Sequence, residues 1–438
     1  MSVPERSTIT NMGAELGVTT SIFPGDETTR VFLKAQGRDK KFIEMAADKN
    51  AAYDKTIELD LSSLEPMVAR PHSPDNVAPV KELAGLKVDQ VLIGSCTNSS
   101  VCDLLIVANM LHGRRVHPDV SVGLAPGSRQ VLQMLTKSGA LLDLISANVR
   151  ILESACGFCI GQGQAPKNNA VSVRTINRNF EGRSGTKTAQ VYLVSPEVAV
   201  ACALKGEFID PRKLGIEYPE IQMPSEFLID DSMIIVPLSD GSKVEIYRGP
   251  NIGKPLKTGA MPDSVLGEVL IKLGDKISTD HILPAGTRLK YRSNIPKYAE
   301  FVFEGVDSTF SKRAIEARDA GLAVFIIGGA SYGQGSSREH AAICPAFLGV
   351  KAVIAKSFER IHAGNLVNFG VLPLTFANEM DYNSLSVGTK MKLINVTVSL
   401  EKGEDIIAEA LDRKIKLKYN LSERQIKIVL VGGVLNCV

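Results

Sequence analysis

No tryptophan occurs in this chain of 438 residues, and aromatic side chains make up only 5% of it. The missing tryptophan by itself excludes nothing; other scarcities exclude more. No apolar run reaches the roughly 18–20 residues that a bilayer-crossing helix requires, so membrane partners are not expected. The opening Met1-Ser2-Val3-Pro4-Glu5-Arg6 lacks the apolar core of a signal peptide. Neither sign of charge dominates: 50 Lys and Arg stand against 48 Asp and Glu, a net charge of +2. A dedicated nucleic-acid binder would carry a basic stripe, so RNA is not an expected partner. With 44% hydrophobic and 22% charged residues, extensive disorder is excluded and sizeable cores can form. A cytoplasmic location is the expectation from these features.

Cysteine is sparse and odd in number: Cys96, Cys102, Cys156, Cys159, Cys202, Cys344 and Cys437. Such irregular spacing in a long chain does not describe a disulfide scaffold. Reduced thiols available to a metal are the better reading.

From about 88 to 205 the sequence alternates strand-like and helix-like segments. Val88–Ile93, Val120–Leu124 and Val149–Leu152 read as strands, with helices between them, including one over 129–139. That rhythm predicts a parallel α/β domain, in which ligands sit beyond the carboxyl ends of strands. Residues 206–264 are rich in proline, glycine and charge and read as an interdomain linker. Residues 265–438 read as a second compact unit, in which the strand Leu322–Ile327 runs into Gly328-Gly329 and is followed by a Gly/Ser-rich loop and a helix. Strands are expected at Val350–Ile354 and, toward its end, at Lys390–Val398, Ile415–Tyr419 and Gln425–Val431. Residues 1–50 carry a helical turn that would set Asn11 and Glu15 on one face at i, i+4, and an amphipathic helix near 27–36.

Several residue groups could carry chemistry. Cys156-Gly157-Phe158-Cys159 is a CxxC, and Cys96 lies upstream in a turn at a strand end. A lone CxxC fits a zinc knuckle, a redox pair or plain packing. A structural zinc site asks for four ligands, whereas three cysteines suit a [4Fe–4S] cube with one iron left open as a Lewis acid. The segment Gly333-Gln334-Gly335-Ser336-Ser337-Arg338-Glu339-His340 follows a strand and opens a helix. Such a loop suits an anion, with Arg338 adding a fork for a carboxylate, or it is simply a helix cap by Ser336 or Ser337. Arg178, Arg183 and Arg292 lie in polar turns where a solvated surface charge is the plain alternative. Asp280-His281, after Ile277-Ser278-Thr279, is either a helix cap or a catalytic dyad.

Four motifs together change that balance. They are Gly94-Ser95-Cys96-Thr97-Asn98, Cys156-Gly157-Phe158-Cys159-Ile160-Gly161, Ser278-Thr279-Asp280-His281-Ile282 and Gly335-Ser336-Ser337-Arg338-Glu339-His340-Ala341-Ala342. In this order they resemble the aconitase family of iron–sulfur hydro-lyases, and the resemblance runs from near Met1 to the C-terminus. It implies reversible dehydration and rehydration of a hydroxy-tricarboxylate, citrate to isocitrate through cis-aconitate. It implies Cys96, Cys156 and Cys159 as ligands of a [4Fe–4S] cluster, with Asn98 and Asn177 lining it. Ser336 matches the serine whose alkoxide removes the carbon-bound proton. Arg178, Arg183, Arg292 and Arg338, with Ser337, match the substrate contacts. Asn11 and Glu15 match residues supporting the hydroxyl or water at the open iron, and Asp280 matches an active-site carboxylate.

The implied architecture is α/β: a remnant of an N-terminal α/β domain at 1–87, a cluster-binding domain at 88–205, the linker at 206–264 and a swivel domain at 265–438. Phe158 stands where the family commonly has proline. The family's first domain, which holds an Asp–His pair that protonates the leaving hydroxyl, would precede Asn11, so a companion chain supplying it is one expectation. Rival readings are an isopropylmalate or homoaconitate hydro-lyase, and a non-catalytic cluster-binding or RNA-binding relative.

Overall fold

Short aliphatic runs bounded by turns become strands throughout, and their burial decides where each one sits. The computed structural model describes residues 1–13, 15, 18, 20–335 and 338–437, and Ser336 and Ser337 lie outside the described residues. The chain divides into two units, Met1–Ser239 and Asp240–Val438.

In the first unit, β1 (Met67–Ala69), β2 (Val77–Pro79), β3 (Gln90–Gly94), β4 (Ser121–Ala125), β5 (Arg150–Ile151), β6 (Val171–Arg174) and β7 (Gln190–Leu193) form one sheet. Its order is β2-β1-β7-β6-β3-β4-β5. Strands β3 to β7 pair in parallel, and β1 runs antiparallel to both β2 and β7. Every residue of β3 is buried, as a central strand covered on both faces requires.

Among the described residues, six α-helices accompany this sheet: α1 (Val3–Gly13), α2 (Glu27–Ala35), α3 (Val101–Leu111), α4 (Arg129–Ser138), α5 (Ala140–Ser146) and α6 (Pro196–Lys205). Helix α3 starts on a reciprocal capping box between Ser100 and Asp103. Helix α6 starts on Ser195 with Pro196 in its first turn and ends at Gly206, whose φ of +73° the missing side chain permits. Both helices bury apolar faces, including Leu104, Val107, Val198 and Ala199, in the core shared with β3 and β4. The chain runs outward from β3 through β4 to β5, then returns to lay β6 on the opposite flank of β3. That reversal opens a crevice at the carboxyl ends of β3 and β6, where parallel α/β sheets bind ligands.

Between 216 and 264 there is neither helix nor strand. The second unit then builds a closed barrel from β8 (Val265–Lys272), β9 (Ala323–Gly328), β10 (Val350–Ala355), β11 (Leu372–Phe376), β12 (Lys390–Ile394), β13 (Ile406–Ala410) and β14 (Arg413–Lys418). Closure leaves no unpaired strand edge. One cluster drawn from all seven strands, with Val269, Phe325, Ile354, Leu374, Leu393, Ala408 and Leu417 fully buried, fills its core.

The α/β expectation is met in both units, and two local expectations in the second unit are not. The strand expected at Gln425–Val431 is a helix, Glu423–Leu430, because Ser422 and Gln425 form a capping box that outweighs the short Ile-Lys-Ile alternation. The strand expected over Lys390–Val398 stops at Ile394, and Asn395, at φ +51°, turns the chain into a helix at Val396–Lys402.

Candidate active site

The end of β3 is bent into an unusual turn. Gly94 has φ +99°, Ser95 +86° and Asn98 +51°. At Gly94 the bend requires glycine, since a Cβ there would lie 2.0 Å from the Ala125 carbonyl oxygen. Ser95 and Asn98 hold left-handed conformations at a cost of about 1–3 kcal/mol each, so the surroundings must enforce them. Thr175, the residue after β6, does so. Its Oγ1 accepts from the Gly94 N–H at 2.8 Å, and its carbonyl accepts from Asn98 Nδ2 at 2.8 Å. Cys96 is thereby presented, exposed, on a turn braced from the neighbouring strand.

The CxxC follows β5. Cys156 is exposed, and Cys159 is buried in a 3-10 turn, Phe158–Ile160. Gly161 ends that turn at φ +83°, where a Cβ would lie 2.3 Å from the Ser184 carbonyl oxygen. Arg183 Nη2 donates toward Cys159 Sγ at 3.6 Å. Ser184 is buried and its Oγ has no hydrogen-bond partner. None of the seven cysteines is in a disulfide. Among the described residues no group of three His, Cys, Asp or Glu side chains is placed to hold a single metal ion. A cube spreads its thiolates over separate irons and asks for a wider triangle. Three unbonded thiols and an orphaned buried hydroxyl beside the CxxC loop fit such a group.

Asn11 and Glu15, expected together on one face, each meet a residue just past β6. Asn177 Nδ2 donates to Asn11 Oδ1 at 2.6 Å, and Arg178 Nε donates to Glu15 Oε1 at 2.6 Å. The ion pair is largely dry, with side-chain exposures of 21% for Arg178 and 7% for Glu15. The first unit thus gathers Asn11, Glu15, Asn98, Asn177 and Arg178, with Cys96, around the ends of β3 and β6, while Arg183 joins the CxxC.

Sequence reasoning missed Arg174, the last residue of β6. It is fully buried, and its guanidinium donates to Phe158 O at 2.7 Å, Ser172 Oγ at 2.9 Å, Gln90 Oε1 at 3.1 Å and Gln164 O at 3.4 Å. Burial pushes its pKa down to about 10, against the opposing pull of the Cys159 thiol. It therefore stays charged at neutral pH.

The remaining predicted residues belong to the second unit. Ser278 and His281 cap the short helix Thr279–Ile282 reciprocally. Asp280 grips Arg338 with both oxygens, at 2.6 and 2.7 Å, and Arg338 also donates to Leu283 O at 3.2 Å. The loop before Arg338 is laced to the same segment: Gly333 and Gln334 N–H groups both donate to Ile277 O, and Thr279 N–H donates to Gln334 O. Arg292 is exposed, and its carbonyl lies 2.9 Å from His340 Nε2. His362, also unforeseen, lies under the loop against Tyr332, and a Cβ at Gly333 would sit 2.4 Å from its ring. Both its ring nitrogens are buried without partners, and burial pushes its pKa down to about 4.

Two family descriptions match this chain. The aconitase family (aconitate hydratase) matches residues 1–85 and 81–206, and the aconitase C-terminal domain matches 278–379. The chain belongs to the aconitase family. Among the similar proteins is a mitochondrial aconitate hydratase of Candida albicans, 33% identical, with 91% of this chain and 59% of that protein covered. A mitochondrial homocitrate dehydratase of Saccharomyces cerevisiae is 32% identical, with 100% of this chain and 65% of that protein covered. The chain therefore spans about three-fifths of the length of these aconitase-family relatives, at 59% and 65%. A crystal structure of a 3-isopropylmalate dehydratase from Methanocaldococcus jannaschii is 28% identical, covering 40% of this chain and 92% of that one at a TM-score of 0.33. The expected cytoplasmic location is corrected by the same relatives, which are named as mitochondrial proteins. A balanced charge and a polar start say nothing of compartment.

Proposed function

We propose that this chain serves the reversible interconversion of citrate and isocitrate through cis-aconitate, with Cys96, Cys156 and Cys159 holding a [4Fe–4S] cluster. What supports the reading above all is the gathering at the β3/β6 crevice: a strained turn offers Cys96, and Asn11, Glu15, Asn98, Asn177 and Arg178 are hydrogen-bonded beside it. When bound, the cluster supplies an open iron that acts as a Lewis acid toward the substrate hydroxyl.

Apart from the acid that protonates the leaving hydroxyl, which the family resemblance places on its first domain, the chain's own residues carry the remaining roles. Arg178, Arg183, Arg292 and Arg338 bind the substrate carboxylates, and several cationic forks are what a tricarboxylate needs. Ser336 takes the carbon-bound proton. The electron pair of that C–H bond becomes the new C=C bond as the C–O bond breaks. Arg338, oriented by Asp280, stabilises the Ser336 alkoxide, and Ser337 serves in substrate binding. Asn11 and Glu15 support the departing hydroxyl, and Asn98 and Asn177 line the cluster. We read 88–205 as the cluster-binding part, 206–264 as the linker and 265–438 as the swivel part. A homocitrate-type substrate is a second reading, favoured by the 32% identity to the yeast homocitrate dehydratase.

The test is anaerobic reconstitution with iron and sulfide, followed by visible spectroscopy and an assay for cis-aconitate formed from citrate or isocitrate, with homocitrate as competitor. A cluster spectrum is expected. A colourless protein with all its thiols still free would sink the reading, and preferential turnover of homocitrate would replace the substrate.

A further inference from the structure

Several arginines with little solvent exposure in this protein come with carboxylates. Arg6, Arg178 and Arg338, with side-chain exposures of 12%, 21% and 17%, each hold one at 2.6 Å. Arg174 is more deeply buried than any of them, yet among the described residues no carboxylate lies within ion-pair distance of it. Its partners are two backbone carbonyls, a hydroxyl and an amide oxygen, all neutral. Neutral acceptors satisfy the guanidinium's hydrogen bonds but leave its charge uncompensated, and a dry uncompensated charge is costly. A second arginine, Arg183, on the loop after β6, donates toward Cys159 Sγ at 3.6 Å.

The position of the charge is specific. Arg174 Nη1 donates to the carbonyl of Phe158, inside the CxxC, at 2.7 Å, and the guanidinium carbon lies 6.0 Å from the Phe158 ring centre. The guanidinium therefore stands directly behind the loop that carries Cys156 and Cys159. An iron–sulfur cube on three thiolates carries net negative charge, which grows on reduction.

We propose that Arg174 is a positioning residue for the cluster site and its built-in counter-ion, one that raises the reduction potential of the bound group by supplying a buried positive charge behind the CxxC. This rests on the cluster reading above and deepens it. The physical reason is that cluster potentials follow net charge, hydrogen bonding and solvent exposure, and a charge in a low-dielectric interior is poorly screened. A neutral residue at 174 could brace the Phe158 carbonyl equally well, but it could not favour the electron.

Three variants of the full chain, reconstituted anaerobically with iron and sulfide, separate charge from bracing. The readout is the midpoint potential of the cluster's one-electron reduction, followed by electron paramagnetic resonance during redox titration. Arg174→Gln removes the charge. Gln90→Glu keeps Arg174 and its packing but gives it the missing carboxylate, since Gln90 Oε1 already accepts from Arg174 Nη2 at 3.1 Å. Arg174→Lys keeps the charge and alters the bracing.

Arg174→Gln and Gln90→Glu are expected to shift the midpoint in the same, more negative direction, and Arg174→Lys to shift it less. If Arg174→Gln does not fold, the shift in Gln90→Glu decides alone. A wild-type midpoint in Gln90→Glu with a wild-type cluster spectrum would overturn the proposal, leaving Arg174 as a brace only. If the wild-type chain itself takes up no cluster, the failure lies with the cluster reading, and this inference falls with it.

Discussion

Arg178 and Glu15 are 163 positions apart and meet at 2.6 Å with little water around them. Removing one member of such a pair strands the other, so Arg178→Met should cost the first unit about 3 kcal/mol in urea unfolding. A loss below about 0.5 kcal/mol would mean the carboxylate finds water instead. Buried His362 offers a pH test. Its folded pKa of about 4 lies below its ordinary 6.5, so the unfolded chain binds a proton that the native state refuses. Stability is therefore intact at neutral pH and falls as pH drops from about 6.5 to about 4, by about 3 kcal/mol in all. A His362→Leu protein should lose that portion of the slope; an identical pH dependence in both proteins would contradict it. For the chemistry, Cys156→Ser should abolish cluster absorbance on reconstitution. The sequence singled out Asn11, Glu15, Asn177 and Arg178 through the motifs, and the structure bonds Asn177 to Asn11 and Arg178 to Glu15. Arg174 and His362 were not singled out, because a charge ending a strand and a histidine inside a helix carry no local signal; only burial reveals them.

At the scale of elements, the turn after β3 is the most constrained feature. A Gly94→Ala side chain would meet the Ala125 carbonyl at 2.0 Å in a backbone conformation that disfavours any Cβ. This substitution should displace Cys96 and depress cluster uptake even where far-UV circular dichroism stays native. Full uptake would show that the turn can relax. Strands β3, β4 and β5 overlap the expected runs Val88–Ile93, Val120–Leu124 and Val149–Leu152, whereas β6 (Val-Ser-Val-Arg) and β7 (Gln-Val-Tyr-Leu) mix polar with apolar residues and were not legible. The Glu423–Leu430 helix was not legible either, because its Gln-Ile-Lys-Ile stretch alternates like a strand and the deciding interaction is its cap. Local alternation over a few residues cannot separate the two when the cap is overlooked.

At the scale of the whole molecule, all three candidate cluster cysteines fall within Met1–Ser239, and the Asp280–Arg338 pair within Asp240–Val438. A fragment of residues 1–239 should therefore take up the cluster and give its visible spectrum, and one of residues 240–438 should not. Uptake that required both would place a ligand in the second unit. The strand order carries a last consequence, in the time domain. Strand β6 pairs with β3 only after the chain has laid down β4 and β5 on the far side, and Thr175, which braces the Cys96 turn, arrives with it. Pairings so distant in sequence form late, because their loop entropy is lost before their contacts are gained. The thiol of Cys96 thus stays on a slack loop until the sheet closes, and only then is it held on the braced turn.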